Sequence, residues 1–130
     1  IQNRMFTVGA ELATLPENHE KLTDHYHTID SEMITELEKY IDKLSDSVDL
    51  PSDFIVSGAS PGSAALDVAR TGVRTLERRL VALDSDSMLV NGEMLKFVNR
   101  LSDLLFMMAR YEDRDISPEV ITGQRISDDE

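Results

Sequence analysis

Cysteine is absent from this chain of 130 residues, which excludes a disulfide framework and any thiolate zinc site. That absence fits a reducing compartment, and the expected setting is cytoplasmic. No run of 18 apolar residues occurs, so no segment reads as a membrane span, and no secretory signal is visible. Positive charge is scarce, with 13 Lys and Arg against 25 Asp and Glu, a net charge of −12 and a pI near 4.5. A surface of that sign argues against a nucleic-acid backbone as partner. Strand-like alternation is missing too. Without a Glu-x-x-His pair, a di-metal carboxylate bundle is set aside. The stretch SGASPGS lacks the lysine of a phosphate-binding P-loop. His25 and His27 flank Tyr26 in a polar segment, too few ligands for a metal, so no metal site is expected.

Apolar residues make up 41% of the chain, enough for one core in one domain. Four helical patterns are visible. Ile1, Met5, Val8, Leu12 and Leu15 recur at spacings of three and four over residues 1–15. Residues 16–29 lack periodicity and read as a loop. Thr28, Asp30 or Ser31 can cap a second helix, with Met33, Leu37, Tyr40 and Leu44 as its stripe. Residues 46–63 hold two prolines and two glycines around an apolar island, Phe54-Ile55-Val56. Ser60-Pro61 opens the third helix. Its seam of Leu66, Ala69, Val73, Leu76, Leu80 and Leu83 suits shallow-angle helix packing. A fourth helix runs from Met88 or Asn91 to Tyr111, and is apolar nearly all round, so it should be central. The reading is an all-α, up-down helical bundle over 1–112 with a loosely ordered charged tail over 113–130.

Within this acidic chain, ARTGVRTLERR (69–79) concentrates four arginines. Arg70, Arg74 and Arg78 follow at i, i+4, i+8 and border the apolar seam, with Glu77 beside them. On the fourth helix, Asn99, Asp103, Phe106 and Arg110 share one face. A polar strip on an apolar helix needs partners. Asn99 and Asp103 could meet the arginines of the third helix, or orient a sugar or an adenine. The residues themselves leave two readings open. One is an interhelical ion network that fixes register or oligomer state. The other is a site for an anionic ligand, since guanidinium groups bind phosphate bidentately.

The stretches ALDVARTGVRTLERRLVAL and LKFVNRLSDLLFMMARYE closely resemble the PduO-type ATP:cob(I)alamin adenosyltransferases. IQNRMFTVGAELAT resembles that family's second helix, and DFIVSGASPGSAAL its loop ahead of the third. The likeness covers residues 1–112 and implies a ferritin-like, cobalamin adenosyltransferase-like bundle that forms a homotrimer with sites between subunits. It implies transfer of the 5′-deoxyadenosyl group of ATP to the cobalt of reduced corrinoid, with ATP and cobalamin as substrates and Mg2+ on the phosphates. A separate electron donor and a cobalamin-dependent acceptor enzyme are implied partners. By position, Arg70 matches an arginine that pairs with a neighbouring subunit's aspartate, and Arg74 one that binds nucleotide phosphates. Glu77, Arg78 and Asn99 fall on the ATP site. Phe54 matches a phenylalanine at the corrin face, thought to exclude the lower axial ligand, so Arg74 and Phe54 carry the catalytic assignment. Asp103 is assigned to the corrinoid.

Three features depart from the family pattern. A Thr-Gly-Asp-x-Gly-x-Thr stretch that wraps the phosphates is absent together with a first helix, and the expectation is an upstream segment that orders around ATP. Thr75 replaces an arginine, and Gly58-Ala59 replaces a glycine pair. The alternative from another class is a non-catalytic helical module for oligomerisation or protein contact, whose arginines serve structural ion pairs.

Overall fold

The computed structural model describes residues 1–124. Among these residues all regular structure is helical: α1 Gln2–Leu12, a 3-10 turn Pro16–Asn18, α2 His19–Thr23, α3 Ser31–Ser45, α4 Pro61–Ser85, α5 Glu93–Glu112 and α6 Pro118–Thr122. The four long helices stand where hydrophobic periodicity places them. Residues 16–29, read as a loop, contain a 3-10 turn and the short α2. The polar PENHEKLT stretch gains local turns without burying an apolar stripe, which is why periodicity does not detect it.

Helix starts follow cap chemistry. The Asp30 side chain accepts from Met33 N–H at 2.9 Å and opens α3. Ser60 and Ser63 form a reciprocal capping box with Pro61 in the first turn, opening the 25-residue α4. At the other end Ser87 takes a positive φ of 58°, and Met88 N–H bonds back to Leu83 C=O at 2.9 Å, closing the helix.

Side-chain pairs give the helix directions. Ser60 meets Asp113, Asp67 meets Arg110, and Asn99 meets Glu77, so α4 and α5 run antiparallel. Arg4 pairs with Glu36, and Glu11 accepts from Ile29 N–H at 2.5 Å, so α1 and α3 are antiparallel as well. The result is an up-down bundle. α5 is central, burying Phe97, Val98, Leu101, Leu104 and Ala109 between α3 and α4.

Two stripes turn by one residue from their sequence reading. On α3, Ile34, Leu37, Ile41 and Leu44 face the core, and Tyr40 is exposed. On α1, Val8 and Glu11 are buried while Leu12 and Leu15 are not. Glu11 is drawn inward because its second oxygen accepts from Asn91 Nδ2 at 2.8 Å, with His19 Nε2 at 3.5 Å. The carboxylate thereby satisfies an otherwise unpaired backbone N–H and ties α1 to the residues ahead of α3 and α5.

The loop between α3 and α4 is strapped to the segment that follows α5 at the same end of the bundle. Val56 N–H bonds Ile121 C=O at 2.8 Å, and Gln124 Nε2 donates to Asp53 at 3.0 Å. α6 therefore lies within the segment read as a loose tail. The remainder of that segment, 125–130, falls outside the described residues.

Candidate functional site

The arginine row begins at Arg70, the tenth residue of α4. Arg74 pairs with Glu77 one turn on, and Glu77 also accepts from Asn99 Nδ2 of α5 at 2.9 Å. Arg74, Glu77 and Asn99 are thus brought together across the α4–α5 seam, with Glu77 as the shared acceptor. Glu77 is held at 16% side-chain exposure, while Arg74 keeps 46%, so the guanidinium still faces solvent. Beside them lies a recess of about 510 Å³ bordered by Ile34, Glu38, Lys96 and Arg100.

Arg78 donates to Thr75 Oγ1 at 3.0 Å. Thr75 therefore offers a neutral acceptor where the resembled family places another cation. Among the described residues, Arg70, Arg78 and Arg79 have no carboxylate partner. Arg70 is half-buried, its guanidinium carbon 5.3 Å from the Phe106 ring centroid. Its Nε is buried and finds no acceptor.

The shared face on α5 divides into two parts. Asn99 joins the arginine row as described. Asp103 instead turns to its own helix, 3.4 Å from Arg100 with about half its side chain exposed. Arg110 points inward, 4% exposed, and donates to Asp67 of α4 at 2.7 Å with Asp113 3.8 Å away. Sequence reasoning placed Arg110 on the polar strip but did not name Asp67 as its partner. The signal was available, since Asp67 sits three residues before Arg70 on the bordering face. Phe54 is 98% exposed at the tip of the α3–α4 loop, in contact with neither the arginine row nor Asp103. At the foot of the loop a second recess, about 310 Å³, is lined by Ser57, Gly58, Asp67 and Arg70. Gly58 has φ +93°, a conformation that side-chain-bearing residues rarely adopt.

Chemically, the arrangement offers a row of guanidinium groups with spare donors, a neutral amide donor and acceptor at Asn99, and an apolar ring on a projecting loop. A polyphosphate would find complementary charge and geometry along α4. Among the described residues, no group of three or more His, Cys, Asp or Glu lies together, so these residues offer no protein cage for Mg2+.

Comparison with known proteins gives one consistent result. The family profile for cobalamin adenosyltransferase matches residues 1–112. A corrinoid adenosyltransferase of Citrobacter freundii is 38% identical over 113 residues, which is 87% of this chain and 62% of that protein. The corrinoid adenosyltransferase PduO of Salmonella typhimurium is 37% identical over 115 residues, 88% of this chain and 33% of that protein. Among solved structures, a phenylalanine-to-alanine variant of the PduO-type ATP:corrinoid adenosyltransferase from Lactobacillus reuteri, complexed with cobalamin and ATP, matches with a TM-score of 0.73 and 32% identity. That match covers 86% of this chain and 60% of the other. The chain thus spans less than two thirds of the length of these relatives.

Proposed function

Because the chain belongs to the cobalamin adenosyltransferase family, we propose that it transfers the 5′-deoxyadenosyl group of ATP to the cobalt of cob(I)alamin and releases triphosphate. The observation that carries this reading is the arginine row itself. In a chain of net charge −12, Arg70, Arg78 and Arg79 stand without carboxylate partners among the described residues, next to the Arg74–Glu77–Asn99 cluster. Support also comes from the solved relatives, of which three are complexes with ATP and two of those also hold cobalamin.

In the proposed reaction cobalt(I) attacks C5′ of ATP with its electron pair. The carbon–cobalt bond forms as the C5′–O bond breaks, and triphosphate leaves with that bond's electrons. No proton is removed from the nucleophile, so no general base is required. Charge gathers on the departing triphosphate. Arg74, with Arg70 and Arg78 along the same helix, stabilises it through preorganised donors. Glu77 keeps Arg74 and Asn99 in register, and Asn99 orients the nucleoside. Phe54 supplies an apolar wedge at the corrin face that excludes a lower axial ligand, with Asp103 toward the corrinoid periphery. Mg2+ is assigned to the triphosphate rather than to the protein, and no step is assigned to it.

The same reading extends to a homotrimer whose neighbouring subunits complete each site, to an electron donor that reduces the corrinoid to cob(I)alamin, and to an acceptor enzyme that uses the product. Residues 1–112 form the bundle domain and 113–130 its C-terminal extension. A cytoplasmic setting accords with the cysteine-free composition, and no described helix is long and apolar enough to cross a membrane.

A second reading, a non-catalytic interaction module, is favoured by one observation: Arg74 is already paired with Glu77 of its own chain. The deciding experiment mixes the protein with ATP and chemically reduced cobalamin in the absence of oxygen. Absorbance changes that mark a new carbon–cobalt bond support transfer. Inertness of the full-length protein under those conditions favours the module.

A further inference from the structure

The segment after α5 follows the α3–α4 loop in antiparallel register. Asp113, fully buried, accepts from Ser60 Oγ at 2.7 Å. Further out, the Ile121 carbonyl accepts from Val56 N–H at 2.8 Å, and Gln124 Nε2 donates to Asp53 at 3.0 Å. As residues 113–124 run outward, the loop is met in reverse order at 60, 56 and 53. The first tie anchors the cap of α4. The other two lie on either side of Phe54.

The outer ties depend on close approach. Gly123 closes α6 in the left-handed conformation, with φ +68°. A Cβ at that position would stand 3.0 Å from Val56 Cγ2, nearer than carbon atoms settle in van der Waals contact. Glycine is therefore required both by its own backbone and by the loop beside it. Behind the ties, Ile55 lines a recess of about 530 Å³ together with Ile116, Pro118 and Ile121. A gap of that size forfeits dispersion contact between the two segments, so a few directed bonds, more than packed side chains, set how they sit. Phe54 is 98% exposed, and its own chain places the ring through the backbone on either side of it. A wedge that works by steric exclusion needs a base that does not yield. Displacing a positioned group by an ångström can lower a rate on the order of a hundredfold.

We propose that α6 and its glycine cap are a positioning element for Phe54. The Ile121 carbonyl and the Gln124 amide hold the loop on either side of the ring, and Gly123 lets the two segments approach. The inference rests on reading Phe54 as the wedge at the corrin face, but the tie itself can be measured without any ligand. The experiment uses Gly123→Val, which opposes the left-handed cap and crowds Val56, and Gln124→Ala, which removes the tie at Asp53 alone. In the ligand-free protein, exchange of the Val56 amide with deuterated solvent is followed by NMR. It should be slow in the unmodified protein and at least about tenfold faster in Gly123→Val. Electron paramagnetic resonance of cob(II)alamin bound together with ATP reads the corrin side. Coupling from a lower axial nitrogen should be missing in the unmodified protein and return in Gly123→Val. Adenosyl transfer should fall roughly threefold to thirtyfold with KM for ATP unchanged, since Arg74 and Asn99 are untouched. In a Phe54→Ala background, Gly123→Val should lower the rate no further. Should Gly123→Val not fold, Gln124→Ala gives the same readings with smaller shifts. A Val56 amide that exchanges at the unmodified rate overturns the proposal, as does a rate loss that multiplies with that of Phe54→Ala. Absence of transfer by the unmodified protein would instead remove the proposed function, while Val56 exchange still decides whether α6 holds the loop.

Discussion

Replacing Arg110 by methionine removes the cation from two buried carboxylates. Asp67 is 9% exposed and Asp113 is 0% exposed, and Arg110 is the sole basic partner of either among the described residues. Methionine fills comparable length, so the perturbation is chiefly electrostatic. Breaking a buried ion pair by removing one partner costs about 3–5 kcal/mol. With an unfolding entropy of about 2.1 cal/mol/K per residue, a chain of this size loses about 4 °C per kcal/mol, so Tm should fall by about 11–18 °C. Thermal unfolding followed by circular dichroism at fixed protein concentration reads this directly, since assembly would make Tm concentration-dependent. A second variant isolates the cause. Arg110→Met combined with Asp67→Leu and Asp113→Asn removes the uncompensated charges, and asparagine can still accept from Ser60. It should regain more than half the loss, because apolar substitutes for buried pairs are commonly neutral or stabilising. A fall below about 3 °C for Arg110→Met, or a combined variant worse than the single one, would refute the claim that this network is an electrostatically closed unit.

Three further outcomes test the site and the fold. Phe54→Ala should leave unfolding stability within about 0.5 kcal/mol, as expected for a surface change, because the ring is 98% exposed; adenosyl transfer measured by absorbance should nevertheless fall at least about tenfold. Glu11→Ala strands the Ile29 N–H and the Asn91 amide, and urea unfolding should show a loss of about 2–4 kcal/mol, with Glu11→Gln losing less because one acceptor oxygen remains. Arg74→Ala should lower turnover on the order of a hundredfold or more while the mass measured by light scattering stays unchanged; dissolution of the assembly with intact chemistry would reverse the assignment of Arg74.

Much of the fold was legible because it rests on periodicity and caps. Ser60-Pro61 and Asp30 announce their helices through side-chain chemistry that acts over three residues, and the seam from Leu66 to Leu83 repeats for nearly five turns. Misreadings arose where a distant partner decided between adjacent residues. Tyr40 and Ile41 both fit a helical stripe within one residue, and the smaller aliphatic side chain is the one that α5 accommodates. Leu12 looked like the natural successor to Val8, yet Glu11 is buried because Ile29 and Asn91, remote in sequence, need its carboxylate. Within the candidate site, wheel positions put Glu77 one turn from Arg74 and offered Asn99 and Asp103 as partners for the arginines; Asn99 reaches Glu77 instead, and Asp103 stays with Arg100 of its own helix. The partnership of Arg110 with Asp67 was not, because a polar strip reveals which residues need partners and leaves the partners unidentified. Phe54 was legible only through resemblance. An exposed ring on a loop leaves no trace in periodicity, and the physical reading of the residues alone gave it no role.

Arg110 and the row on α4 differ in how their charge is met among the described residues. Both belong to the same α4–α5 seam. Arg110 is paired with Asp67 at 2.7 Å and lies 3.8 Å from Asp113, as a buried cation requires. Arg70, Arg74 and Arg78 are spaced four residues apart, so each adjacent pair repels by a few tenths of a kcal/mol in a helix, and among the described residues the one carboxylate on the row, Glu77, pairs with Arg74 alone. The chain had 25 acidic residues from which to draw further compensation, and the structure uses acids for that purpose at Arg110. Leaving the row under-compensated is therefore a specific choice of placement rather than a shortage of negative charge. The surrounding negative field also repels free anions at long range, so a phosphate chain must gain its affinity from close, directional guanidinium contacts. Binding of that kind is governed by the direction in which each arginine is held, as Glu77 holds Arg74.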